Sequence, residues 1–576
     1  MSWWVMDTET DASHFHNGKP TETYVWAWAA TRADGNENSP VYDGSDFRSM
    51  MVFMSKHIKP RDTVFFHNLR WDGYFILFGL LADYGYVSYS GSPKEQPKGT
   101  VNVLISGNGV WYKMRIVTMK GAVINIQDSF KKLPFSAAKI AKDLKLPMMK
   151  GHIDYHKRRI PGDPLSPEDR AYVHDDVRII ALALHQVFIK NGLTKMTIGS
   201  DCLNDFKENH FRNFDKVFPK LSYEEESFVR GAYRGGITWV KGGQHDAYNG
   251  CVFDATSLYP SVMHSKSGNI YPCGEGIPFE GTPTPTKDHP LFIVEITITA
   301  TVKPDHLPFV NLRNTLFGDK SYMERFDAHT ITLTSVDLEL LFKQYDVTSI
   351  EYHSGYYYHA NIGFFDHYID HYFAMKDRAS VEGNAVLRLI AKLFLNNLYG
   401  KFATRIDKIN ALPAGIVSDK VTFVKEEETS DGVYAPVGVF VTAYGRAALI
   451  DLVQRNWKYF EYCDTDSIHL SCPAEMADVP RKGTGLCEWK LESRWRKARF
   501  VRQKTYVEQV IWDDKHGYHE PEFDYKCAGA TPEVKALFTW ENFRIGLRLE
   551  KCKPMPKKCK GGIVLVKGPF QIRAEK

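Results

Sequence analysis

The chain contains the stretch Tyr462-Cys463-Asp464-Thr465-Asp466-Ser467, and this stretch decides the fold of its second half. Apolar residues flank it on both sides, which predicts two strands joined by a hairpin. Side chains two apart on an extended chain share a face, so Asp464 and Asp466 are expected to converge. Like charges held together need cations, and hard divalent ions with oxygen ligands are the usual solution. A solvated acidic turn is the alternative, but the apolar surroundings favour a metal site.

Composition indicates a large soluble protein with several domains. The chain has 576 residues, 43% of them hydrophobic and 25% charged, and its net charge is +4. A basic run at 490–504 is interspersed with aromatic residues, which favours a nucleic-acid groove over a solvated face. The nine cysteines have no metal-binding spacing, which indicates a reducing, cytosolic environment. No signal peptide is predicted, and the most apolar run, 437–453, is broken by Arg446 and Asp451, so no membrane span is expected.

Residues 1 to about 188 alternate predicted strands, at 3–6 and 63–66, with a predicted helix at 171–189, which indicates an α/β domain. Its acidic residues fit two-metal hydrolysis of phosphodiesters better than scattered surface charge. Asp7 and Glu9 are two apart on a strand, and Asp72 follows another strand. Tyr172 and Asp176 are four apart on a helix and therefore neighbours, so Tyr172 can orient the attacking water.

A second group of residues predicts a nucleotide site. The segment 251–260 forms a strand that ends in Asp254 and then turns into a helix, so Asp254 should face the acidic hairpin across a sheet. Tyr259 lies where its ring can line a pocket, core packing being the alternative. On the helix 388–401, four residues three or four apart form one polar stripe that can neutralise a triphosphate or, alternatively, face solvent: Arg388, Lys392, Asn396 and Tyr399. Tyr399 can stack against a sugar or base.

Three motifs carry a family resemblance: Asp254-x-x-Ser257-Leu258-Tyr259-Pro260, Lys392-x-x-x-Asn396-x-x-Tyr399-Gly400 and Tyr462-x-Asp464-Thr465-Asp466-Ser467. In type and order they resemble the palm and fingers motifs of family-B DNA polymerases, specifically the protein-primed, phi29-type polymerases of small tailed bacteriophages. Further family motifs are matched by Tyr233-x-Gly235-Gly236, Thr442-x-x-Gly445-Arg446, Lys504-x-Tyr506 and the segment 150–155. The resemblance covers essentially the whole chain.

The resemblance implies a multidomain α+β fold, a right-hand polymerase with an N-terminal, ribonuclease-H-like α/β 3′–5′ exonuclease domain. The implied regions are the exonuclease at 1–188, palm at 189–265 and 433–530, a first insertion contacting a terminal protein at 266–363, fingers at 364–403, a second insertion for strand displacement and processivity at 404–432, and a small thumb at 531–576. The prolines at 271–308 independently exclude long helices there.

Residue roles follow from the resemblance. Binding of the metal ions at the polymerase site is assigned to Asp254, the Ala255 carbonyl, Asp464 and Asp466. The incoming nucleotide is assigned to Tyr259, as steric gate, with Lys376, Arg388, Lys392, Asn396 and Tyr399, Lys392 also being catalytic. Template–primer contacts are assigned to Tyr233, Gly235, Gly236, Thr442, Arg446, Lys504 and Tyr506. Nuclease ions are assigned to Asp7, Glu9, Asp72 and Asp176, assisted by Tyr172 and Lys150. The frayed primer strand is assigned to Thr10, Asn68, Phe75, Ser129 and Tyr155.

The implied cofactor is Mg²⁺, replaceable by Mn²⁺, with two ions per active site. The implied partners are template–primer DNA, dNTPs and a terminal protein primer. The resemblance further implies an enzyme that is otherwise monomeric and does not bind a membrane. It would be encoded by a phage and would replicate a linear genome in the cytoplasm of the bacterial host. Departures from the family pattern are His152 where relatives can carry an acid, Arg388 in place of lysine, Trp71 in place of phenylalanine, and four extra residues between Lys376 and Lys392.

Three alternatives remain open. An RNA- or DNA-primed family-B polymerase without a terminal protein is the nearest. A DNA-binding exonuclease and a non-catalytic replication factor are disfavoured by the intact polymerase carboxylates, which would repel phosphate unless metal-loaded.

Overall fold

The computed structural model describes residues 2–16, 19–154, 157–311 and 322–574. Tyr155, assigned above to the primer strand, lies outside these residues.

The described residues of the N-terminal region include ten strands; eight form a mixed sheet covered by helices, and the other two pair only with each other. Its strands are β1 (Trp3–Thr10), β2 (Phe15–His16), β3 (Lys19–Pro20), β4 (Val25–Arg32), β5 (Tyr42–Gly44), β6 (Thr63–Phe66), β7 (Val87–Ser88), β8 (Thr100–Ile105), β9 (Trp111–Val117) and β10 (Val123–Asp128), and its helices are α1 (Phe47–His57), α2 (Arg70–Phe78), α3 (Ala137–Asp143) and α4 (Pro167–Leu184). The sheet order is β5-β4-β1-β6-β10-β9-β8-β7, and β6 runs parallel to both β1 and β10. This arrangement confirms the predicted α/β region.

Helix α4 packs on β1 and β4. It starts at Pro167, where proline needs no helical N–H partner, and Ser166 caps it by accepting from the Asp169 N–H at 3.1 Å. The predicted helix at 171–189 therefore begins earlier, and its last turn, His185–Ile189, is a π-helix.

Short helices lead from this region to the first strands of a second, antiparallel sheet. These elements are α5 (Ile198–Asp205), a π-helical segment (Phe206–His210), α6 (Phe214–Val217), α7 (Tyr223–Gly231), β11 (Thr238–Val240), β12 (His245–Ala255) and α8 (Leu258–Met263).

An antiparallel sheet of four strands follows. Its elements are β13 (Tyr271–Glu280), β14 (Leu291–Val302), β15 (Arg325–Thr334), α9 (Ser335–Gln344) and β16 (Tyr345–Asn361), in the strand order β13-β16-β14-β15. The stretch 271–308 contains two of these strands and no helix, as its prolines predict.

The next elements are α10 (Asp366–Val381), α11 (Ala385–Phe402), β17 (Asp407–Val417), β18 (Lys420–Thr429) and α12 (Ala435–Arg455). The helix predicted at 388–401 is part of α11, which begins at Ala385. The chain turns between α10 and α11 because Gly383 has a φ of 65°, and Asn384 caps α11 by accepting from the Leu387 N–H at 3.1 Å.

Helix α12 corrects the expectation that no apolar run could span a membrane. Among the described residues it is the one helix long and apolar enough, by length and composition, to do so. Its most apolar window is 78% buried inside the protein, however, which is the behaviour of a core helix.

The final elements are β19 (Phe460–Asp464), β20 (Ser467–Leu470), β21 (Trp489–Arg502), β22 (Thr505–Asp513), β23 (Gly517–Cys527), α13 (Pro532–Lys535), β24 (Arg548–Cys559) and β25 (Gly562–Gln571). Strands from both sides of the fingers form one antiparallel sheet in the order β11-β19-β20-β12-β21-β22-β23. This order places the hairpin β19–β20 directly beside β12, so residues 200 positions apart become neighbours.

The hairpins β17–β18 and β24–β25 both contact the N-terminal region. The Lys558 Nζ lies 4.9 Å from the ring centroid of Tyr74 and 4.7 Å from that of Phe423, so all three regions meet there. The Thr23 N–H donates to the Lys560 carbonyl at 2.8 Å. These contacts join three segments that are remote in sequence.

Candidate active sites

The palm carboxylates lie at the ends of adjacent strands. In register, Asp254 on β12 is opposite Ser467 on β20, and Ser467 is opposite Asp464 on β19. The Ala255 N–H donates to the Asp466 carbonyl at 2.7 Å, which fixes the end of β12 against the turn. Asp254 therefore faces the acidic hairpin across the sheet, as the sequence predicted.

The predicted reason for the convergence of Asp464 and Asp466 is wrong. Only Asp464 lies on the extended strand, and Thr465 turns the chain with a φ of 56°, so strand alternation does not apply. The Asp464 carboxylate accepts from Lys504 Nζ at 2.7 and 2.8 Å and from the Thr238 hydroxyl at 2.8 Å. Asp464 is thus neutralised by a lysine within the protein.

Asp254 and Asp466 have the electrostatics of an ion site. Burial and, after it, the charge of Asp466 raise the pKa of Asp254 to about 7. Burial and, after it, the charge of Asp464 raise the pKa of Asp466 to about 6. Buried oxygen donors that repel one another fit a hard divalent cation such as Mg²⁺.

Sequence analysis missed charged neighbours contributed by β21. Lys490 is the cross-strand partner of Asp254 and forms an ion pair with Asp514. The negative charge of Glu492 raises the pKa of both Asp254 and Asp466, after burial and the closer aspartate in each case. The sequence does indicate that Lys490 and Glu492, two residues apart on a strand, share one face. Only the sheet order shows that this strand lies beside β12.

The basic run at 490–504 does not form the aromatic groove that its composition predicted. Trp489, Trp495 and Phe500 are buried in the core, and Arg494 and Arg499 pair with acidic residues. Trp489 packs in the main core, and Trp495 and Phe500 pack in a second apolar cluster, so the aromatic side chains of β21 face the interior.

Tyr259 and Tyr399 form the wall of the nucleotide site predicted from sequence. Their ring centroids are 4.2 Å apart, and the ring planes are inclined by 34°. Gly445 on α12 approaches the same ring, because a Cβ built there would lie 3.2 Å from Tyr259 Cε1. Three helices, α8, α11 and α12, therefore converge on Tyr259.

The predicted polar stripe exists along α11. Arg388, Lys392 and Asn396 are exposed, and Tyr399 is half-buried at the inner end. Lys376 on α10 joins the stripe despite the extra residues between the two motifs. Its pKa is lowered by burial and by the nearby charges of Arg388, Lys392 and Lys490. Four cations therefore gather on the side of the palm that carries Asp254.

The turn Tyr233–Gly236 packs against the acidic hairpin. A Cβ built at Gly236 would lie 2.6 Å from Thr465 Cγ2, so only glycine fits, and the Thr465 N–H donates to the Ile237 carbonyl at 2.6 Å. The turn, which the resemblance assigns to template–primer contacts, therefore lies directly against the acidic hairpin.

Thr442 and Arg446 do not reach the surface, in contrast to their assignment to template–primer contacts. Both are 1% exposed. Thr442 donates to the Val439 carbonyl at 3.0 Å, and Arg446 donates to the Gly235 carbonyl at 3.0 Å. Thr442 is therefore bonded within α12, and Arg446 supports the turn from inside the protein. Lys504 is exposed beside Asp464, and Tyr506 is half-buried with its ring 4.9 Å from that of Tyr462.

The N-terminal region contains a second carboxylate site. Asp7 and Glu9 on β1 and Asp176 on α4 place carboxylate oxygens within 4.8 Å of one another, the one such group in the described parts of the chain. The Asp176 Oδ2 accepts from Lys150 Nζ at 2.6 Å, while its buried Oδ1 has no donor among the described residues. Lys150 Nζ also lies 5.3 Å from the ring centroid of Tyr172.

Burial raises the pKa of Asp7 well above its usual range, and the charges of Asp72 and Glu9 raise it further. Burial and Asp176 raise the pKa of Glu9 to about 8. Asp72 stands slightly apart, because its carboxylate accepts from the Thr8 hydroxyl at 2.6 Å, and burial raises its pKa to about 7. A buried cluster with an orphaned oxygen fits divalent cations.

A cavity of 410 Å³ opens at this cluster and is lined by Asp7, Asn68, Lys150 and Asp176, among others. The Thr10 hydroxyl, assigned above to the primer strand, accepts from Trp71 Nε1 at 3.4 Å.

Phe75 and Ser129 differ from their assignment to the primer strand. Both are buried, and Ser129 is hydrogen-bonded to His67 Nδ1 at 2.9 Å. Phe75 packs beneath Gly562, where a Cβ would lie 2.6 Å from its ring.

Comparison with known proteins agrees with this geometry. Residues 161–479 match the family described as DNA polymerase type B, organellar and viral. The chain is 37% identical to the DNA polymerase of Bacillus phage phi29, over 96% of this chain and 97% of that protein. It is 31% identical to the DNA polymerase of Streptococcus phage Cp-1, over 88% and 87% of the two chains.

The fold also matches a solved structure of phi29 DNA polymerase complexed with primer-template DNA and incoming nucleotide substrates. The TM-score is 0.88 at 35% sequence identity, covering 99% of this chain and 100% of the other. The similarity extends over both carboxylate sites and the elements that join them.

Proposed function

The chain belongs to the type B DNA polymerases of organelles and viruses, and from that premise we propose that it synthesises DNA at Asp254 and Asp466 and degrades it at Asp7, Glu9 and Asp176. It is a DNA-directed DNA polymerase with the 3′–5′ exonuclease characteristic of its phi29-type relatives. The observation that carries the residue assignment is the presence of two separate groups of partly buried carboxylates, one at β12 and the β19–β20 turn and the other on β1 and α4.

In the synthetic reaction, the primer 3′-hydroxyl attacks the α-phosphate of a dNTP and pyrophosphate leaves. In our proposal Asp254 and Asp466 would hold two Mg²⁺ ions, and the Ala255 carbonyl would be a further ligand. Bound ions would lower the pKa of the attacking hydroxyl and would balance the negative charge on the leaving oxygens.

The helix α11 provides the binding site for the triphosphate. Arg388 and Lys392, with Lys376 from α10, neutralise its charge, and Asn396 adds an amide to the same face. Tyr259, which packs against Tyr399, lies beside the sugar of the incoming nucleotide and sterically excludes a 2′-hydroxyl. Lys504, paired with Asp464, is placed to contact the primer backbone next to the acidic hairpin.

In the nuclease reaction, Asp7, Glu9 and Asp176 would hold the ions, with Asp72 as the fourth carboxylate. Lys150 offsets the negative charge of Asp176, and Tyr172 orients the attacking water. Asn68 lines the cavity that receives the primer end, and Thr10 contacts the same strand in our proposal.

We further propose protein priming, in which a hydroxyl of a terminal protein acts as the first nucleophile. The support is the likeness to phi29-type relatives along the whole chain, including the sheet β13–β16, which we assign to terminal-protein contact. The junction at Lys558 supports a role of β17–β18 in processive, strand-displacing synthesis. We place this activity in the cytoplasm of a bacterial host.

A reconstitution tests the proposal. The enzyme is given Mg²⁺, dNTPs, template and either an annealed oligonucleotide or a candidate terminal protein. Extension of the oligonucleotide tests the polymerase assignment. Transfer of the first labelled dNMP to the protein tests the priming mode, and synthesis from oligonucleotides alone would favour the RNA- or DNA-primed alternative.

A further inference from the structure

Lys490 is a cation of the palm that has no assigned role in either reaction. It lies on β21 as the cross-strand partner of Asp254 on β12. Directly opposite residues of an antiparallel pair have side chains on the same face of the sheet, so Lys490 shares the face that carries the Asp254 carboxylate. Burial, Asp466 and Glu492 raise the pKa of Asp254, and the positive charge of Lys490 opposes them.

The same lysine lies close to the cations of the fingers. Burial lowers the pKa of Lys376 on α10, and three nearby positive charges act in the same direction: Arg388, Lys392 and Lys490. Lys376, Arg388 and Lys392 come from α10 and α11, whereas Lys490 comes from the palm sheet. Cations gathered in this way repel one another unless an anion lies among them, so their arrangement suits phosphate groups.

Lys490 has a carboxylate partner that it can exchange. It forms an ion pair with Asp514, the residue after β22. The Asp514 N–H donates to the Glu492 carbonyl at 3.2 Å, which keeps Asp514 beside β21. The side chains of Lys490 and Asp514 are 36% and 21% exposed, and partly exposed ion pairs contribute little to stability. The ammonium can therefore leave Asp514 for a more highly charged partner with little loss of stability.

We propose that Lys490 binds the β- and γ-phosphates of the incoming dNTP, and the pyrophosphate that they become, in exchange for its ion pair with Asp514. The inference rests on the proposed polymerase function of Asp254 and Asp466. Because Asp254 and Lys490 share one face of the sheet, phosphates bound beside Asp254 lie within reach of the ammonium.

The charge that develops during nucleotide transfer explains what this cation contributes. The primer 3′-hydroxyl loses its proton and its oxygen bonds to the α-phosphorus, while the bond from the α-phosphorus to the oxygen bridging to the β-phosphate breaks. Both electrons of that bond leave with pyrophosphate, so negative charge accumulates there. The Lys490 ammonium stabilises this charge and returns to Asp514 when pyrophosphate dissociates.

Single-nucleotide incorporation on an annealed primer tests the assignment, with inorganic pyrophosphate as the inhibitor and Mg²⁺ saturating. We expect Lys490→Met to raise both the KM for dNTP and the inhibition constant of pyrophosphate about tenfold, the effect of losing one hydrogen bond to a charged group. Lys490→Arg should restore both constants because it keeps the charge. Asp514→Asn should lower the inhibition constant of pyrophosphate below that of the wild type, since Lys490 then has no competing carboxylate.

Arg494 provides a matched control on the same strand. It lies four residues beyond Lys490 and also forms an ion pair, with Glu475, but its cross-strand partner is Cys251. Arg494→Gln should leave both constants unchanged. Equal effects in Arg494→Gln and Lys490→Met would reflect a general loss of positive charge from β21 and would overturn the proposal.

The Mg²⁺ requirement separates phosphate binding from an indirect effect on Asp254. If Lys490 acted only by opposing the negative charge of Asp254, Lys490→Met would lower the half-saturating Mg²⁺ concentration at pH 8 and leave pyrophosphate inhibition unchanged. That result would overturn the proposal, as would wild-type constants in Lys490→Met or a defect that Lys490→Arg does not restore.

Two further measurements keep these outcomes interpretable. Release of dNMP from single-stranded DNA should be the same in every variant, because the nuclease carboxylates lie on another sheet, and circular dichroism checks that each variant is folded. A folded wild-type enzyme that incorporates no dNTP would refute the polymerase function itself, which distinguishes that failure from a failure of the role of Lys490.

Discussion

Arg446 and Asp337 form a bidentate ion pair in the interior of the palm. The Arg446 Nη2 donates to both Asp337 carboxylate oxygens at 2.8 Å, and the two side chains are 1% and 0% exposed. Because Arg446 also donates to the Gly235 carbonyl, one guanidinium links α9 and α12 to the turn beside the acidic hairpin. The polymerase site is therefore supported by an interaction that DNA need not touch.

We predict that Arg446→Met destabilises the protein by about 3–5 kcal/mol, because it leaves the Asp337 charge buried and uncompensated. Urea unfolding followed by tryptophan fluorescence measures the change. The double variant Arg446→Met with Asp337→Leu should recover much of the loss, and a double variant as unstable as the single one would argue against the pair as the cause.

The Asp254→Ala variant should lose dNTP incorporation and retain degradation of single-stranded DNA, since the nuclease carboxylates lie on another sheet. Primer extension and release of labelled dNMP are measured on the same preparation. Loss of both activities in a folded variant would refute separate sites.

The reciprocal variant, Asp7→Ala with Glu9→Ala, should lose degradation and keep synthesis. Removing two of three clustered carboxylates eliminates the predicted ion site without touching the palm sheet. A matched substitution of exposed acids, Glu426→Ala with Glu427→Ala, should leave degradation unchanged. Undiminished nuclease activity in the first variant would rule out this site.

The raised pKa values of Asp254, about 7, and Asp466, about 6, predict a pH-dependent requirement for Mg²⁺. Below these values the metal-free carboxyls are protonated, and Mg²⁺ must displace protons to bind. The Mg²⁺ concentration for half-maximal incorporation should therefore rise about tenfold per pH unit per displaced proton as pH falls below 7. Titrations at pH 6, 7 and 8 measure it, and equal requirements at all three would contradict the competition.

Lys558→Ala should reduce the length of DNA made per binding event. Its ammonium lies against Tyr74 and Phe423, contacts worth about 0.5–1 kcal/mol each at exposed sites, and they join the three regions that meet at the Lys558 junction. Extension in the presence of a DNA trap measures the effect. The exposed neighbour provides the control, since Lys557→Ala should behave as wild type.

The sequence alone located both acidic sites and most of the residues that form them. Asp7 with Glu9, and Asp176 with Tyr172, are joined by strand or helix periodicity, which is a local property of the chain. The polar stripe on α11 follows from the same periodicity, and its solvent-exposed face is as predicted.

Tertiary structure alone decided what lies opposite these residues. It buried Arg446 against Asp337, paired Asp464 with Lys504, and brought Lys376 and Lys490 together. Periodicity fixes which face of an element a side chain occupies, but it carries no information about which distant strand or helix packs on that face. The strand order β19-β20-β12-β21, and not any local pattern, therefore set the charges around the palm carboxylates.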